Sequence, residues 1–548
     1  MNIDLLKYIK KLSLKDIIFC FFGGLLMGLS VAPTNLYFLA WIALIPLWKA
    51  VFRSNLTAIL SGFCWGLGYH GFALFWITGI HPMTWMGVSW LNSLMIAIFC
   101  WVFITLWGAI LVTIWAYIIH GFIQKKYSTI INILWGVTLW CLLEKIWSFS
   151  PLWWTSLSFT QSPYNLAILQ LLKFSGTTTI TALIVLVNGL FAQNFSTIFP
   201  SNKNLFLDIF NNTSKMLVLR RQNHNLNKNL FSFQKIFITY KYLTYGVIIL
   251  IISHSFGYFL YQHPIVNNPD NKIRIGIIQG NIPNEIKLFD AGLKTAFINY
   301  TKGYNYLAQQ DVDIILTPET ALPFFYQDIA ENSVIAQAIK QQQIPLLLGA
   351  FDRINKNKYT NSLFAIDKEG KVMSKYDKIK LVPLGEYIPF RDILGDIIRR
   401  LSPLNTELIA GKKDQLLNTP FGKAIVGICY DSAFSEIFRY QALQGGEFIV
   451  TASNNAHYDD TMPEQHHAQD VMRSIETDRY MARATNTGLS AIINPHGNTT
   501  WISQINQYQT YAGEIYRRDS LTPYVKWGDW LIITFIITSF LGYKWLSK

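Results

Sequence analysis

The sequence is poor in charge and poorer in cysteine. Only 14% of its 548 residues are Asp, Glu, Lys or Arg, whereas 51% are hydrophobic and 18 are Trp. A chain this long and this apolar is not one compact water-soluble domain. Its composition is that of a membrane protein. Of its five cysteines, Cys20, Cys64, Cys100 and Cys141 lie in long apolar runs near the N-terminus. A disulfide framework is thereby excluded for the polar part of the chain, where Cys429 stands alone. The sequence also has no GxxxxGK[ST] loop, no GxGxxG turn, no GxSxG elbow, no HExxH helix and no cysteine pairs at metal spacing. Neither a cofactor nor a metal is expected, and His457, His466 and His467 do not change that. The net charge of +13 comes without any recognition motif and implies no nucleic-acid partner.

The apolar residues concentrate in 16–195, 243–261 and 527–545, while 262–526 has a globular composition. Crossing a bilayer takes about 20 mostly apolar residues. Eight candidate spans follow, at 16–33, 35–52, 58–78, 91–119, 129–147, 174–194, 243–261 and 527–545. The first two, parted by Pro33-Thr34, are expected to form a tight helical hairpin. The chain then reads as an N-terminal membrane domain of six helices (1–195), a basic loop (196–242), a seventh membrane helix (243–261), an extracytoplasmic domain (262–526) and a C-terminal membrane helix (527–548). No cleavable signal peptide is evident.

Eight spans place Lys7, Lys10, Lys11, Lys15, Lys49, Arg53, Lys125, Lys126, the basic residues of 196–242, Lys544 and Lys548 on one side. The opposite loops, 79–88 and 148–172, hold no Lys or Arg. The positive-inside bias predicts cytoplasmic termini and an outer-face domain, periplasmic in a Gram-negative cell. Glu144-Lys145, near the outer end of the fifth span, is either a headgroup contact or an internal ion pair.

Residues 273–526 alternate strand and helix signals, which predicts a layered α/β fold. Strands are expected at 273–279, 313–317, 345–351, 424–429, 447–452 and 488–493, with a hairpin over 362–374. Helices are expected at 291–309, 331–342, 432–445 and 464–483, the last amphipathic. Active sites of such sheets sit at strand ends, and three strand ends carry chemistry. Thr317-Pro318-Glu319 ends in a carboxylate that is costly to bury without a partner or a task. Lys378 and Glu386 lie eight apart in a Pro- and Gly-containing loop. Cys429 follows the apolar run Ala424–Ile428. Alone, each motif has an ordinary reading: a helix cap, a surface loop, a small buried hydrophobe. Together they make a coherent site, in which Glu319 accepts the thiol proton, the Lys378 ammonium favours thiolate and oxyanion, and Cys429 forms a thioester.

Glu, Lys and Cys in this order resemble the nitrilase superfamily of carbon-nitrogen hydrolases. With the membrane spans, the whole chain resembles that superfamily's membrane branch, the apolipoprotein N-acyltransferases of bacterial inner membranes. The motifs that carry the resemblance are Gln279-Gly280-Asn281-Ile282-Pro283, Pro318-Glu319-Thr320-Ala321-Leu322-Pro323, Leu381-Val382-Pro383-Leu384-Gly385-Glu386-Tyr387-Ile388-Pro389, Gly427-Ile428-Cys429-Tyr430, Ser453-Asn454-Asn455-Ala456 and Arg483-Ala484-Thr485-Asn486-Thr487-Gly488. The resemblance implies an αββα sandwich beside a multi-span helical domain. It matches Glu319 to the general base, Lys378 to the catalytic lysine and Cys429 to the nucleophile. Glu386 matches a second essential glutamate, and Tyr430 a residue near the acyl group. Lys380 is a rival for Lys378, disfavoured by its spacing to Gly385-Glu386.

The chain departs from the family pattern in three places. Asp431 stands where Glu is usual, Leu288 where Trp follows the lysine, and Ala456-His457-Tyr458 where Ala-Trp-Phe is usual. The implied reaction takes an acyl chain from a phosphatidylethanolamine-like phospholipid, through a Cys429 thioester, to the α-amine of a diacylated apolipoprotein. The chain is expected to act as a monomer. Phe324-Phe325-Tyr326, Tyr387-Ile388-Pro389-Phe390 and Ile397-Ile398 are candidates for lipid-dipping lids. The alternative is a membrane-tethered nitrilase-type amidase, for which one span would suffice.

Overall fold

A computed structural model of the chain describes residues 12–198, 226–356, 358–387 and 407–546. Ile388, Pro389, Phe390, Ile397 and Ile398 of the expected lids lie outside these residues, as do Lys7, Lys10, Lys11 and Lys548.

The N-terminal part is helical: α1 (Leu14–Gly28), α2 (Asn55–Ala73), α3 (Trp90–Gln124), α4 (Thr129–Trp147), α5 (Thr177–Ile198) and α6 (Leu226–Gln262). Three described helices are long and apolar enough to cross a membrane: α3, α4 and Tyr240–Gln262 of α6. The bent pair Leu166–Ser175 and Thr177–Asn194, turning by 117°, makes a fourth if counted as one span. α1 is shorter but turns Ile18, Phe19 and Phe22 outward, and α3 does the same with Leu91, Phe99 and Phe103. An apolar belt of this kind suits hydrocarbon rather than water.

Two sequence expectations differ here. Residues 35–52 are not one helix but a 3-10 turn (Tyr37–Trp41) followed by Ile45–Ala50. The break is held by buried Asn188 of α5, which accepts from the Leu44 N–H (2.9 Å) and donates to the Ala40 carbonyl (2.9 Å). Broken helices survive at membrane depth only with such partners. Also, residues 226–242, expected as part of a loop, are the first turns of α6, which kinks at Tyr240.

The C-terminal domain holds two sheets. One has the order β13-β1-β2-β3-β4-β5, with β6 beside β4. Its strands are β1 (Lys272–Gln279), β2 (Ile314–Leu316), β3 (Leu346–Asn355), β4 (Lys358–Ile366), β5 (Val372–Asp377), β6 (Glu407–Leu408) and β13 (Gln509–Tyr516). The other has the order β12-β11-β10-β9-β8-β7, from β7 (Leu417–Thr419), β8 (Gly422–Ile428), β9 (Phe448–Ser453), β10 (Met481–Thr485), β11 (Ala491–Ile493) and β12 (Thr499–Ile502). Strand alternation sets the layers. Ile273, Ile275 and Ile277 of β1 pack with Ile425, Ile449 and Ile492 of the second sheet. Ile278 faces outward with Tyr300 and Tyr304 of α7 (Asp290–Ala308) and Ile335 and Ile339 of α8 (Val334–Gln342). On the other side lie α9 (Ser435–Leu443) and α10 (Thr461–Thr477). The result is the αββα sandwich, and α11 (Trp530–Leu546) returns the chain to the apolar belt.

The helix expected at 464–483 ends at Thr477, where Asp478 turns left-handed (φ 57°), and Met481–Thr485 is a parallel strand beside β9. Nor is α10 amphipathic: Gln465 to Thr477 are buried throughout. The membrane helices cover one side and the sheet covers the other. Gln465 accepts from the indoles of Trp76 (3.1 Å) and Trp154 (2.8 Å). It donates to the carbonyls of Ala32 (3.1 Å) and Ala73 (2.9 Å). One catalytic-domain side chain therefore gathers three membrane segments.

Helices α1 and α2 touch backbone to backbone. A Cβ at Gly24 would collide with the Trp65 carbonyl, and one at Gly68 with that of Phe21. Overpacking such a seam costs about 1–3 kcal/mol. Gly24→Leu is therefore expected to lower the thermal unfolding midpoint of the detergent-solubilised protein. An unchanged midpoint would mean that the two helices can separate freely.

Candidate active site

Three strand ends meet at one point. Cys429 follows β8 in a left-handed backbone (φ 50°), opening a 3-10 turn, Cys429–Ala433. Thr320, after β2, is also left-handed (φ 45°). Such conformations cost a non-glycine residue roughly 1–2 kcal/mol and persist where surroundings over-determine them. Gly349 of β3 permits the second, because any Cβ there would strike the Pro318 carbonyl.

Lys378, just past β5, is 1% exposed and lies between two carboxylates, 2.8 Å from Glu319 Oε1 and 2.8 Å from Glu386 Oε1. Glu319 is almost as buried, at 5%. Its Oε1 also accepts from the Asn361 amide (2.8 Å), and its Oε2 from the Asn454 backbone N–H (2.9 Å). Glu386 Oε2 accepts from the Val382 N–H (2.8 Å), which closes its own loop. Burial pushes the Glu319 carboxyl up most, but the charge and hydrogen bond of Lys378, with Lys287 and the Cys429 thiol, together hold the group below its ordinary range. Burial works against the Lys378 cation too, yet the two carboxylates carry it well above an ordinary lysine. The Cys429 thiol faces Glu319; burial, then the carboxylate's charge, push it up, and Lys378 only partly opposes them. The thiol is therefore held above its ordinary range, and the pull of Lys378 toward the thiolate is only partial.

The remaining expected residues brace the elbow. The Tyr430 hydroxyl donates to the carbonyls of Pro151 (2.8 Å) and Trp153 (2.9 Å), in the loop after α4. Asp431 Oδ1 accepts from the Lys380 N–H (2.7 Å), and Oδ2 from the Ile428 N–H (3.1 Å) and the Tyr376 hydroxyl (3.2 Å). The shorter aspartate still spans from elbow to lysine loop. Lys380 itself contributes its backbone, and its side chain lies over the Phe434 ring, 4.1 Å away.

Sequence reasoning missed four groups. Asn361 and the Asn454 N–H orient Glu319. Lys287, 3% exposed, donates to the Glu319 carbonyl (3.3 Å), and burial brings its ammonium down to about 8. His466 was weighed only as a metal ligand. Its Nε2 instead lies 2.9 Å from the Cys429 carbonyl, with Asn455 Nδ2 3.1 Å from Nδ1. The amide donates to Nδ1, so Nε2 carries the proton and donates to the carbonyl. Among the described residues no cluster of three or more His, Cys, Asp or Glu could hold a metal. Gln279 of the first motif is structural: it donates to the Gln504 (2.6 Å) and Gln507 (2.9 Å) carbonyls and accepts from Ser490 and Ser503.

Sheets and helices in this order are those of a carbon-nitrogen hydrolase, and that family matches residues 274–513. The apolipoprotein N-acyltransferase N-terminal domain matches residues 23–190. The apolipoprotein N-acyltransferase of Nostoc sp. is 47% identical over 524 residues, covering 94% of this chain and 97% of that protein. Its counterpart in Synechocystis sp. is 44% identical, covering 95% and 98%. A solved amidase of the nitrilase superfamily from Nesterenkonia is 15% identical, with a TM-score of 0.36, and covers 48% of this chain and 96% of its own. The chain belongs to the apolipoprotein N-acyltransferase family and is an acyltransferase.

The charge arrangement sets a test on the thiol. Removing the Glu319 charge takes away one of the groups that push the thiol up and leaves Lys378 less neutralised. Glu319→Gln is therefore expected to shift the pH profile of Cys429 alkylation to lower pH, so that iodoacetamide reacts faster at pH 8 than with wild type. An upward or absent shift would show that the carboxylate does not bear on the thiol.

Proposed function

We propose that Cys429 carries an acyl chain from a membrane phospholipid to the N-terminal α-amine of a diacylated apolipoprotein. The observation that carries this reading is the buried Glu319–Lys378–Glu386 cluster against a thiol whose neighbour, Tyr430, is bonded to the membrane part. Glu319 takes the thiol proton as Sγ attacks the ester carbonyl, at sn-1 of a phosphatidylethanolamine-like donor. The Lys378 ammonium stabilises the oxyanion. The intermediate collapses by breaking the C–O bond, and Glu319 returns the proton to the departing lysophospholipid oxygen. The thioester is then attacked by the acceptor amine. Glu319 takes the amine proton and restores it to Sγ, which leaves an amide. Asn361 and the Asn454 N–H would hold Glu319 in place, and Asp431 and His466 would hold the elbow. No cofactor enters these steps. The chain acts as a monomer in this reading, since one copy carries every group named.

The same reading places 262–526 in the periplasm and both termini in the cytoplasm, with the domain bounds given above. It is supported by which helix ends bear the charge. Lys125 and Lys126 lie between α3 and α4, at the end of α4 away from the catalytic domain, whereas Lys145 at its other end meets Glu436 of α9. A tethered amidase would not need so many membrane segments gathered on α10.

Intact mass of the purified protein after incubation with phosphatidylethanolamine is expected to rise by one acyl group in wild type and not in Cys429→Ala. Hydroxylamine or a diacylated lipopeptide should then remove the added mass. Hydrolysis of small amides without acyl gain would favour the amidase instead. For orientation, a membrane-impermeant maleimide added to spheroplasts is expected to label Glu369→Cys, on an exposed hairpin turn, and to spare Lys126→Cys. The reverse pattern would invert the topology.

A further inference from the structure

A cavity of about 620 Å³ lies where the membrane helices meet the catalytic domain. Its walls include Lys380, Ala433 and Phe434, but none of Glu319, Lys378, Glu386 or Cys429. It therefore sits behind the elbow rather than at the thiol. One wall is apolar, with Phe149, Trp153, Phe434 and Ile437, and Phe149 is 68% exposed. The other wall is ionic. Lys145, at the end of α4, donates to Glu436 (3.0 Å) and to Asp529 (2.5 Å), the residue that precedes α11. Arg439 donates to the second oxygen of Glu436 (2.8 Å). These carboxylates are thereby neutralised by their own cations.

Two lysines on this wall are not. Among the described residues, neither Lys380 nor Lys413 has a carboxylate within ion-pair distance, though exposed Asp414 shares the rim. Lys380 stands over Phe434, and the two ammoniums are near enough to repel. Paired like charges beside an aromatic wall favour an anion that carries an apolar tail. The ends of α4 and α11 set the cavity at the level of lipid headgroups.

We propose that this cavity binds a membrane phospholipid that is not the acyl donor, with its phosphate on Lys380 and Lys413 and its chains along Phe149 and Phe434. The occupant would rest on Ala433 and Phe434, which close the turn begun by Cys429. Phe434 packs edge-on against Tyr430, with centroids 5.1 Å apart. A bound lipid would thus stiffen the elbow from behind, in the compartment from which the substrates come.

The test uses the full chain carrying Cys429→Ala, so that no lipid is consumed and the outcome does not depend on acyl transfer. Native mass spectrometry from micelles containing dioleoyl phosphatidylglycerol counts the retained lipids. Lys380→Gln combined with Lys413→Gln is expected to retain one lipid fewer, with affinity at that site reduced roughly thirtyfold. Phe149→Glu, at an exposed position on the apolar wall, is expected to do the same. Diacylglycerol, which has no phosphate, should not fill the site. The proposal is overturned if both variants retain lipid as wild type does. It is also overturned if inorganic phosphate alone binds the lysine pair as tightly as the lipid, which would make this a site for free phosphate.

Discussion

The structure depends on one buried ammonium. Lys378 has almost no access to water, and an uncompensated cation there would cost several kcal/mol. Two carboxylates resolve the problem, and each comes from a different segment: Glu319 from the end of β2, Glu386 from the loop after β5. The ion cluster is thus also a clamp. It fixes the β2 turn against the lysine loop, and Asn361 of β4 ties both carboxylates to the sheet. The clamp also decides the chemistry of the thiol. Burial raises the thiol most and the Glu319 charge next, so Lys378, shared between two carboxylates, offsets only part of the shift.

The elbow extends this constraint to the rest of the molecule. Three consecutive residues are each tethered to a different body. The carbonyl of Cys429 is held by His466 of α10, the hydroxyl of Tyr430 by the loop after α4, and the carboxylate of Asp431 by the backbone of the lysine loop. Each tether opposes relaxation of the left-handed backbone at Cys429. Asp431 accepts backbone N–H groups close at hand, for which a short side chain suffices.

Much of the catalytic domain is legible in sequence because parallel strands buried on both faces read as continuous apolar runs. Ile314–Leu316 and Ala424–Ile428 are such runs, and Glu319 and Cys429 follow close behind them. The membrane part is less legible. The break near Leu44 depends on Asn188, some 144 positions away, and hydropathy carries no trace of that pairing. Helix α10 was read as amphipathic because its polar residues suggest a wet face. Several of them are instead paired inside the protein, as in the buried pair of Asp470 with Arg483 and the contacts of Gln465. Asn361, and the hold of His466 on the elbow, are not legible in the sequence for a related reason. They act on other residues of the site, and such residues form no motif of their own.

What separates an acyltransferase from an amidase on this scaffold is the fate of the thioester. An amidase needs water at the acyl carbon; a transferase must keep water away until an amine arrives. The membrane part supplies the means. Trp154 stacks on Tyr430 with centroids 6.0 Å apart, and Trp76 packs edge-on against Tyr458 at 4.9 Å. Both indoles are also pinned by Gln465. These aromatic contacts border the elbow, and Cys429 itself is only 6% exposed. A dry site lengthens the life of the thioester and strengthens every charge interaction within it. In this chain the membrane helices therefore do more than anchor an enzyme. The segments that join them also form part of the wall around the Cys429 elbow.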